Sequence, residues 1–267
     1  MFPRLFEIGS FSLATYGVLV ALAMIVALFT VVRFARREGV DPERAWSLGI
    51  VCIFAAIVGA KLLLVLNEWD FYVHNPSALF SLNLLQSAGV FSGGLVAAVI
   101  AGLLYMRRQH MPILKTMDVF APALALGHAI GRLGCFAAGC CYGKPTQLPW
   151  GVTFTNPLAA KLVGTPLGVP LHPTQIYEFL VELFNFGLLV WMFPRKKFDG
   201  QIFGTYLFLY GLARYFLEFL RGDPDRGSVL NGMMTTTQLI SILMVIAGGL
   251  LWMRMPRQPE PATSAHA

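Results

Sequence analysis

His128–Gly143 reads HAIGRLGCFAAGCCYG and closes an apolar run that begins near Val119. His128 and Arg132 stand four residues apart in it, which puts both on one helix face. An arginine at the centre of a spanning helix costs about 2.5–3.5 kcal/mol on insertion scales. Arg132 lies several residues short of the expected helix end, too deep to reach the interface easily by snorkelling. A charge kept there faces a polar cavity or an anion. Gly127 and Gly131 form a small-xxx-small pair that lets a second helix backbone approach. Gly134, Gly139 and Gly143 follow, and are expected to loosen the helix into a turn with available backbone N–H groups.

Outside this stretch the composition sets the class. Of 267 residues, 56% are hydrophobic and 13% charged, against about 25% charged in soluble domains. The reading is an all-α polytopic membrane protein. A net charge of +6 would suit a nucleic-acid partner, but the basic residues collect in short loops between apolar runs, and no such partner is expected. Seven segments approach the roughly 20 residues that a bilayer needs: about 13–32, 46–66, 84–106, 118–138, 174–193, 202–220 and 235–253. The first is taken as a retained helix, not a cleaved signal, because no small-residue cleavage site follows it. Arg33, Arg36, Arg37 and Arg44 follow segment one. Arg107, Arg108 and Lys115 follow segment three, Arg195, Lys196 and Lys197 segment five, and Arg254 and Arg257 segment seven. The opposite loops hold Arg4, Lys144, Lys161 and Arg226. The positive-inside rule then puts the N-terminus outside, in the periplasm, and the C-terminus in the cytoplasm.

This gives one membrane domain over 1–254, with a small external head at about 140–172 and a disordered cytoplasmic tail at 255–267. The head is rich in Gly, Pro and Thr, with a strand-like Trp150–Phe154. Met1–Ser12 alternates apolar and polar residues and is either an interfacial arm or a loosely ordered leader. Trp69, Phe71 and Tyr72 suit an interfacial belt. Phe91-Ser92-Gly93-Gly94 is a further small-residue seam, explained by close helix packing alone.

Charge recurs on two more helices. Gln175, Glu178, Glu182 and Asn185 fall at helical spacing, as do Arg214, Glu218 and Arg221. The bland account is that these groups pair and lock the bundle, although desolvation cancels much of what such pairs gain. The functional account is a cavity for a lipid with an anionic headgroup. A guanidinium offers phosphate paired hydrogen bonds and stays charged. Fixed arginines would also stabilise a leaving phosphate as a nucleophile displaces it from carbon. His128 is either a packing hydrogen-bonder or a proton acceptor, and its place beside Arg132 motivates the second role. Tyr16 and Tyr210 are placed to hydrogen-bond headgroup oxygens, or simply to anchor. Cys135, Cys140 and Cys141 lack the C-x-x-C pairs of a zinc site, and adjacent cysteines bond to each other only with strain. Neither metal nor cofactor is expected.

These residues resemble the prolipoprotein diacylglyceryl transferases over nearly the whole chain, from Tyr16-Gly17 to Gln238. The densest blocks are Gly131-Arg132-Leu133-Gly134 with Phe136, Gly139 and Gly143; His172-Pro173-Thr174-Gln175-Ile176-Tyr177-Glu178; and Tyr210-Gly211-Leu212-Ala213-Arg214 with Glu218-Phe219-Leu220-Arg221. Phe91-Ser92-Gly93-Gly94-Leu95 adds another. The resemblance implies a seven-helix enzyme of the bacterial inner membrane. It would move the diacylglyceryl group of phosphatidylglycerol onto the lipobox cysteine of a prolipoprotein signal peptide, forming a thioether and releasing glycerol phosphate. It implies that Arg132 binds phosphatidylglycerol, that Arg214 is a second essential arginine, and that Tyr16 and Tyr210 are functional. Arg221, Ser92 and Gly143 stand in matching blocks and are taken as further substrate-binding positions.

The chain departs from the family pattern in four places. Members commonly carry asparagine at the positions of Cys135 and Ala138, glutamate at Cys140, and at Ser92 a histidine assigned as a base. A subset carries Gly-Cys-Cys-Tyr-Gly, as here. Two other readings stand beside the transferase, a paralogue with a different acceptor and a non-enzymatic phospholipid or anion transporter. The protein is expected to act as a monomer among membrane lipids.

Overall fold

The structure is a computed structural model that describes residues 3–8, 11–81, 84, 89–223, 227–229 and 232–253. The tail expected at 255–267 lies outside the described residues. Helices are numbered here in chain order: α1 Thr15–Glu38, α2 Pro42–Asn67, α3 Trp69–His74, α4 Phe91–Arg108, α5 Ile113–Ala138, α6 Pro157–Val163, α7 Thr174–Met192, α8 Gln201–Glu218 and α9 Thr236–Met253. Among the described residues six are long and apolar enough to cross a membrane: α1, α2, α4, α5, α7 with its 3-10 extension to Arg195, and α9. Helix α8 matches α9 in length, but Gln201, Thr205, Arg214 and Glu218 dilute its apolar character. The chain is an all-α polytopic membrane protein.

Large apolar side chains point outward along these helices. Phe54, Phe184, Phe216 and Ile246 are exposed, while Gln175, Glu178, Glu182 and Asn185 are buried. A soluble protein has the reverse pattern. Here lipid covers the outer faces, and the polar stripe of α7 turns inward as its spacing predicted.

The chain divides into two compact units, one made of Met1–Ala27 with Phe120–Ala267, the other of Leu28–Val119. In the first unit, α8 and α9 pack along glycines. A Cβ on Gly204 would meet Gly248 O at 3.2 Å, and one on Gly211 would meet Ser241 O at 2.7 Å. Helix α7 packs on the other side of α8. The start of α1 lies on α5, where Gly127 faces Ala27 and Ala23, and Gly134 faces Tyr16 and Leu19. The close-packing pair on α5 is therefore Gly127 with Gly134, two turns apart. Gly131, expected in that role, faces open space.

In the second unit α2 and α4 cross at Gly59 and Gly93, and a Cβ on either would meet the other's carbonyl oxygen at 2.5 Å. The small-residue seam read at Ser92-Gly93-Gly94 is this contact. Helix α4 starts at Phe91, seven residues later than the run at 84 suggested. Gly89 is pressed against Ala60, and Val90 N–H donates to Ala60 O at 3.0 Å from extended backbone.

The described part of the leader is a strand pair. Arg4–Ile8 (β1) and Phe11–Ala14 (β2) form an antiparallel hairpin with an irregularity between Arg4 and Phe6. The head after α5 carries a two-residue pairing of Val152–Thr153 (β3) with Pro170–Leu171 (β4), and the short α6. Asn156 caps α6 by accepting from Leu158 N–H at 2.9 Å, and Gly164, at φ 69°, ends it. Tyr142, Phe154 and Leu171 form the head's core, with Phe136 of α5 packed against it.

Candidate active site

Helices α5, α7 and α8 each contribute charge to one cluster in the first unit. Its centre is Glu178, the first carboxylate on the polar face of α7 and only 2% exposed at its side chain. Arg132 of α5 donates from Nη2 to Glu178 Oε1 at 2.7 Å. Arg214 of α8 approaches the same oxygen with Nε at 3.8 Å, and its Nη2 reaches Glu218 Oε2, one turn along, at 2.9 Å. Glu218 also accepts from Thr235 Oγ1 at 2.9 Å. Two arginines thus share one carboxylate, and each has a further partner.

Arg132 donates from Nε to His128 Nε2 at 3.1 Å, and from Nη1 to Cys135 Sγ at 3.8 Å. With the contact to Glu178, these use one N–H on each nitrogen. A guanidinium has five N–H groups, so two are not engaged by any described residue. Arg214 Nη1 is buried with no hydrogen-bond partner among the described residues. Leaving a buried donor unmatched costs about 1–3 kcal/mol.

The tyrosines frame this cluster. Tyr210 stands edge-on to His128 with centroids 5.2 Å apart, and stacks on Tyr206 at 5.8 Å. Tyr16, at the start of α1, is 42% exposed and packs beside Gly134. Below Glu178 on α7, Glu182 is fully buried. Its oxygens find no hydrogen-bond partner among the described residues, and His128 Nδ1 lies 3.9 Å away.

Arg221 and Gly143 sit elsewhere than the sequence suggested. Helix α8 stops at Glu218, so Arg221 leaves the Arg214–Glu218 face and forms an antiparallel bridge with Gly143. Its guanidinium forks onto Asp223 at 2.8 and 2.7 Å. Burial works against that charge, but the Asp223 carboxylate outweighs it and the Arg221 pKa rises. Gly143 is clamped between two backbones. Its N–H donates to His172 O at 2.9 Å, and Lys144 N–H donates to Leu220 O at 2.8 Å. The N–H groups of Gly139 and Gly143, expected to become available in the turn, are consumed by the chain itself. Ser92 lies in the second unit, exposed in the first turn of α4.

The three cysteines after Arg132 also converge, which spacing did not foretell. Cys140 Sγ donates to Cys135 O at 3.7 Å. Hydrogen bonds from Cys135 and Cys140, with help from Arg221 and Arg132, pull the Cys141 pKa down. Cys140, hydrogen-bonded to both other thiols and partly buried, is pushed up. Glu178 is the member missing from the expected site residues. Its signal was present in the inward face of α7, but its partner on α5 lies 46 residues away in sequence.

Fold and site together define a polytopic membrane protein built around a buried arginine–carboxylate cluster that retains unused guanidinium donors. The family model for prolipoprotein diacylglyceryl transferase matches residues 3–254, and the chain belongs to that family. Among its relatives is the phosphatidylglycerol–prolipoprotein diacylglyceryl transferase of Clostridium tetani, 36% identical over 93% of this chain and 95% of the relative. The enzyme of the same name from Finegoldia magna is 36% identical, with 95% of each chain covered. A second Clostridium enzyme, from Clostridium perfringens, is 33% identical over 92% of each.

Proposed function

We propose that this chain transfers the diacylglyceryl group of phosphatidylglycerol to the lipobox cysteine thiol of a prolipoprotein. The observation that carries this reading is the buried Arg214 Nη1 without a partner, on a guanidinium that shares Glu178 Oε1 with Arg132. A phosphate arriving here satisfies a donor that the protein leaves unmatched, and finds two more N–H groups on Arg132.

The thiol sulfur attacks the glyceryl carbon that bears the phosphate ester. A C–S bond forms, the C–O bond breaks, and its electron pair leaves on glycerol phosphate. Negative charge grows on that phosphate in the transition state, so the arginines help the transition state more than the bound lipid. Glu178 holds both guanidiniums in place beforehand. When Arg132 turns its Nε–H to the phosphate, His128 Nε2 is released and takes the thiol proton. An unassisted thiol, with pKa near 8.5, is only a few per cent ionised at neutral pH. Tyr16 and Tyr210 hydrogen-bond the headgroup. Arg221 and Gly143 fix the junction between α5 and α8 on which the headgroup rests.

In this account residues 1–254 work as one membrane domain. Helix α8 is a seventh span, packed between α7 and α9 with Phe208, Leu212 and Phe216 facing outward. The loop arginines put the N-terminus outside the bacterial inner membrane and the head on that side, and the chain acts as a monomer. Complementation of a strain depleted of its own diacylglyceryl transferase tests the reading, and rescue is expected. Failure despite good membrane expression would favour a different acceptor, the alternative supported by the Cys135 thiol against Arg132.

A further inference from the structure

The Sγ atoms of Cys135, Cys140 and Cys141 all lie within 4.8 Å of one another. We propose that these three thiols form a trithiolate site for one soft monovalent cation, Cu(I). The inference stands apart from the transferase reading and does not depend on it.

The chain is shaped to bring the sulfurs together. Cys135 lies in the last turn of α5. Gly139, at φ 85°, ends that helix in the left-handed region and turns the chain back, so that Cys140 reaches the Cys135 carbonyl. Neighbouring residues on extended backbone send their side chains to opposite sides. Cys141 avoids this by adopting φ 63°, a left-handed conformation that non-glycine residues seldom take. Such backbone costs about 1–3 kcal/mol and persists only where its surroundings impose it. Here α7 imposes it. Gln175 Nε2 donates to Cys140 O and Thr174 Oγ1 to Cys141 O, each at 2.7 Å. Two buried side chains at the start of a spanning helix therefore pin both carbonyls of the Cys-Cys step.

The dimensions suit a three-coordinate metal. Metal–sulfur bonds of about 2.3 Å place three trigonal sulfurs about 4 Å apart, within the observed spread. No histidine or carboxylate completes the group among the described residues. Zinc prefers a fourth ligand, whereas thiolates select Cu(I). Binding releases the thiol protons and leaves an anionic complex. Arg132, 3.8 Å from Cys135 Sγ, and Arg221 on the Cys141 side offset part of that charge. The arrangement depends on the backbone of Cys141 and not on the residue spacing of zinc-type pairs.

The test uses the full chain in detergent, reduced and kept anaerobic, and titrated with Cu(I) held by a chromophoric bicinchoninate buffer. One equivalent should be withdrawn from the buffer, with copper X-ray absorption showing sulfur ligands near 2.3 Å. C135S, C140S and C141S should each weaken uptake by about tenfold or more. C52S, which alters the cysteine in the second unit, should leave it unchanged. Elution of each variant as a monodisperse peak separates loss of the site from loss of the fold. Withdrawal that survives C140S and C141S would overturn the proposal. So would a wild-type protein whose thiols all titrate freely yet take no copper, or one isolated with two of the three cysteines joined as a disulfide.

Discussion

Arg132 donates its Nε–H to Nε2 of His128, one turn back on α5, at 3.1 Å. An imidazole nitrogen that accepts carries no proton, so the ring proton sits on Nδ1, the nitrogen facing Glu182. The arginine thus blocks the base until it turns to a substrate. If His128 then takes the thiol proton, H128Q should lower kcat by about 10²–10⁴-fold, the usual contribution of a general base. Glutamine can still accept from Arg132, so the fold and lipid binding should survive. The residual H128Q rate should climb with pH, since more of the acceptor thiol ionises unaided as pH rises towards about 8.5. A near-normal H128Q rate would leave His128 as a holder of Arg132 only.

Glu178 should matter to stability as well as to geometry. Its Oε1 meets Arg132 at 2.7 Å and Arg214 at 3.8 Å. Removing one member of a buried ion pair costs about 3–5 kcal/mol, because the other charge is left uncompensated. E178A should therefore melt well below wild type in detergent, followed by tryptophan fluorescence. E178Q, which keeps an acceptor for Arg132, should fall less. Equal melting of E178A and wild type would show that the carboxylate is not the cluster's centre.

Two glycines of the same motif should respond in opposite ways. A Cβ on Gly143 would lie 2.5 Å from His172 Cβ, 2.6 Å from His172 O and 2.9 Å from Leu220 O. Most of those atoms are backbone and cannot step aside. G143A should therefore break the junction that holds Arg221, and lower both yield and melting temperature. A Cβ on Gly131 meets nothing within 4 Å. G131A should fold normally, and could gain up to about 1 kcal/mol of helix propensity. Thermal melts of the two variants side by side check this.

Six of the seven segments were legible because apolar runs of that length report spanning helices directly. The polar stripe from Gln175 to Asn185 was legible because burial follows helical period. What was not legible depends on contacts distant in sequence. Helix α8 ends at Glu218, which a run continuing through Phe219 and Leu220 does not signal, and so Arg221 goes to Asp223. Gly127 pairs with Gly134, not Gly131, because the way α1 crosses α5 sets which turns meet. The hairpin at Arg4–Ala14 was half-visible in the alternation of Met1–Ser12. Three sulfurs converge only because Cys141 adopts a backbone conformation that no pattern of residue types announces. The family resemblance pointed to Arg132 and Arg214, but gave no role to Glu178, the carboxylate that joins them.

In the proposed reaction the guanidiniums of Arg132 and Arg214 hold the phosphate that a thiol displaces. The most direct measurement follows purified protein in phosphatidylglycerol nanodiscs with a lipobox peptide, reading thioether product and glycerol phosphate by mass spectrometry. Wild type should yield the two products in equal amounts. R132K keeps a charge but loses the fork, and R132K and R214K should each fall by about 10²-fold or more, the cost of removing one preorganised donor. Wild-type product formation by R132K, or peptide modification without glycerol phosphate release, would contradict the account.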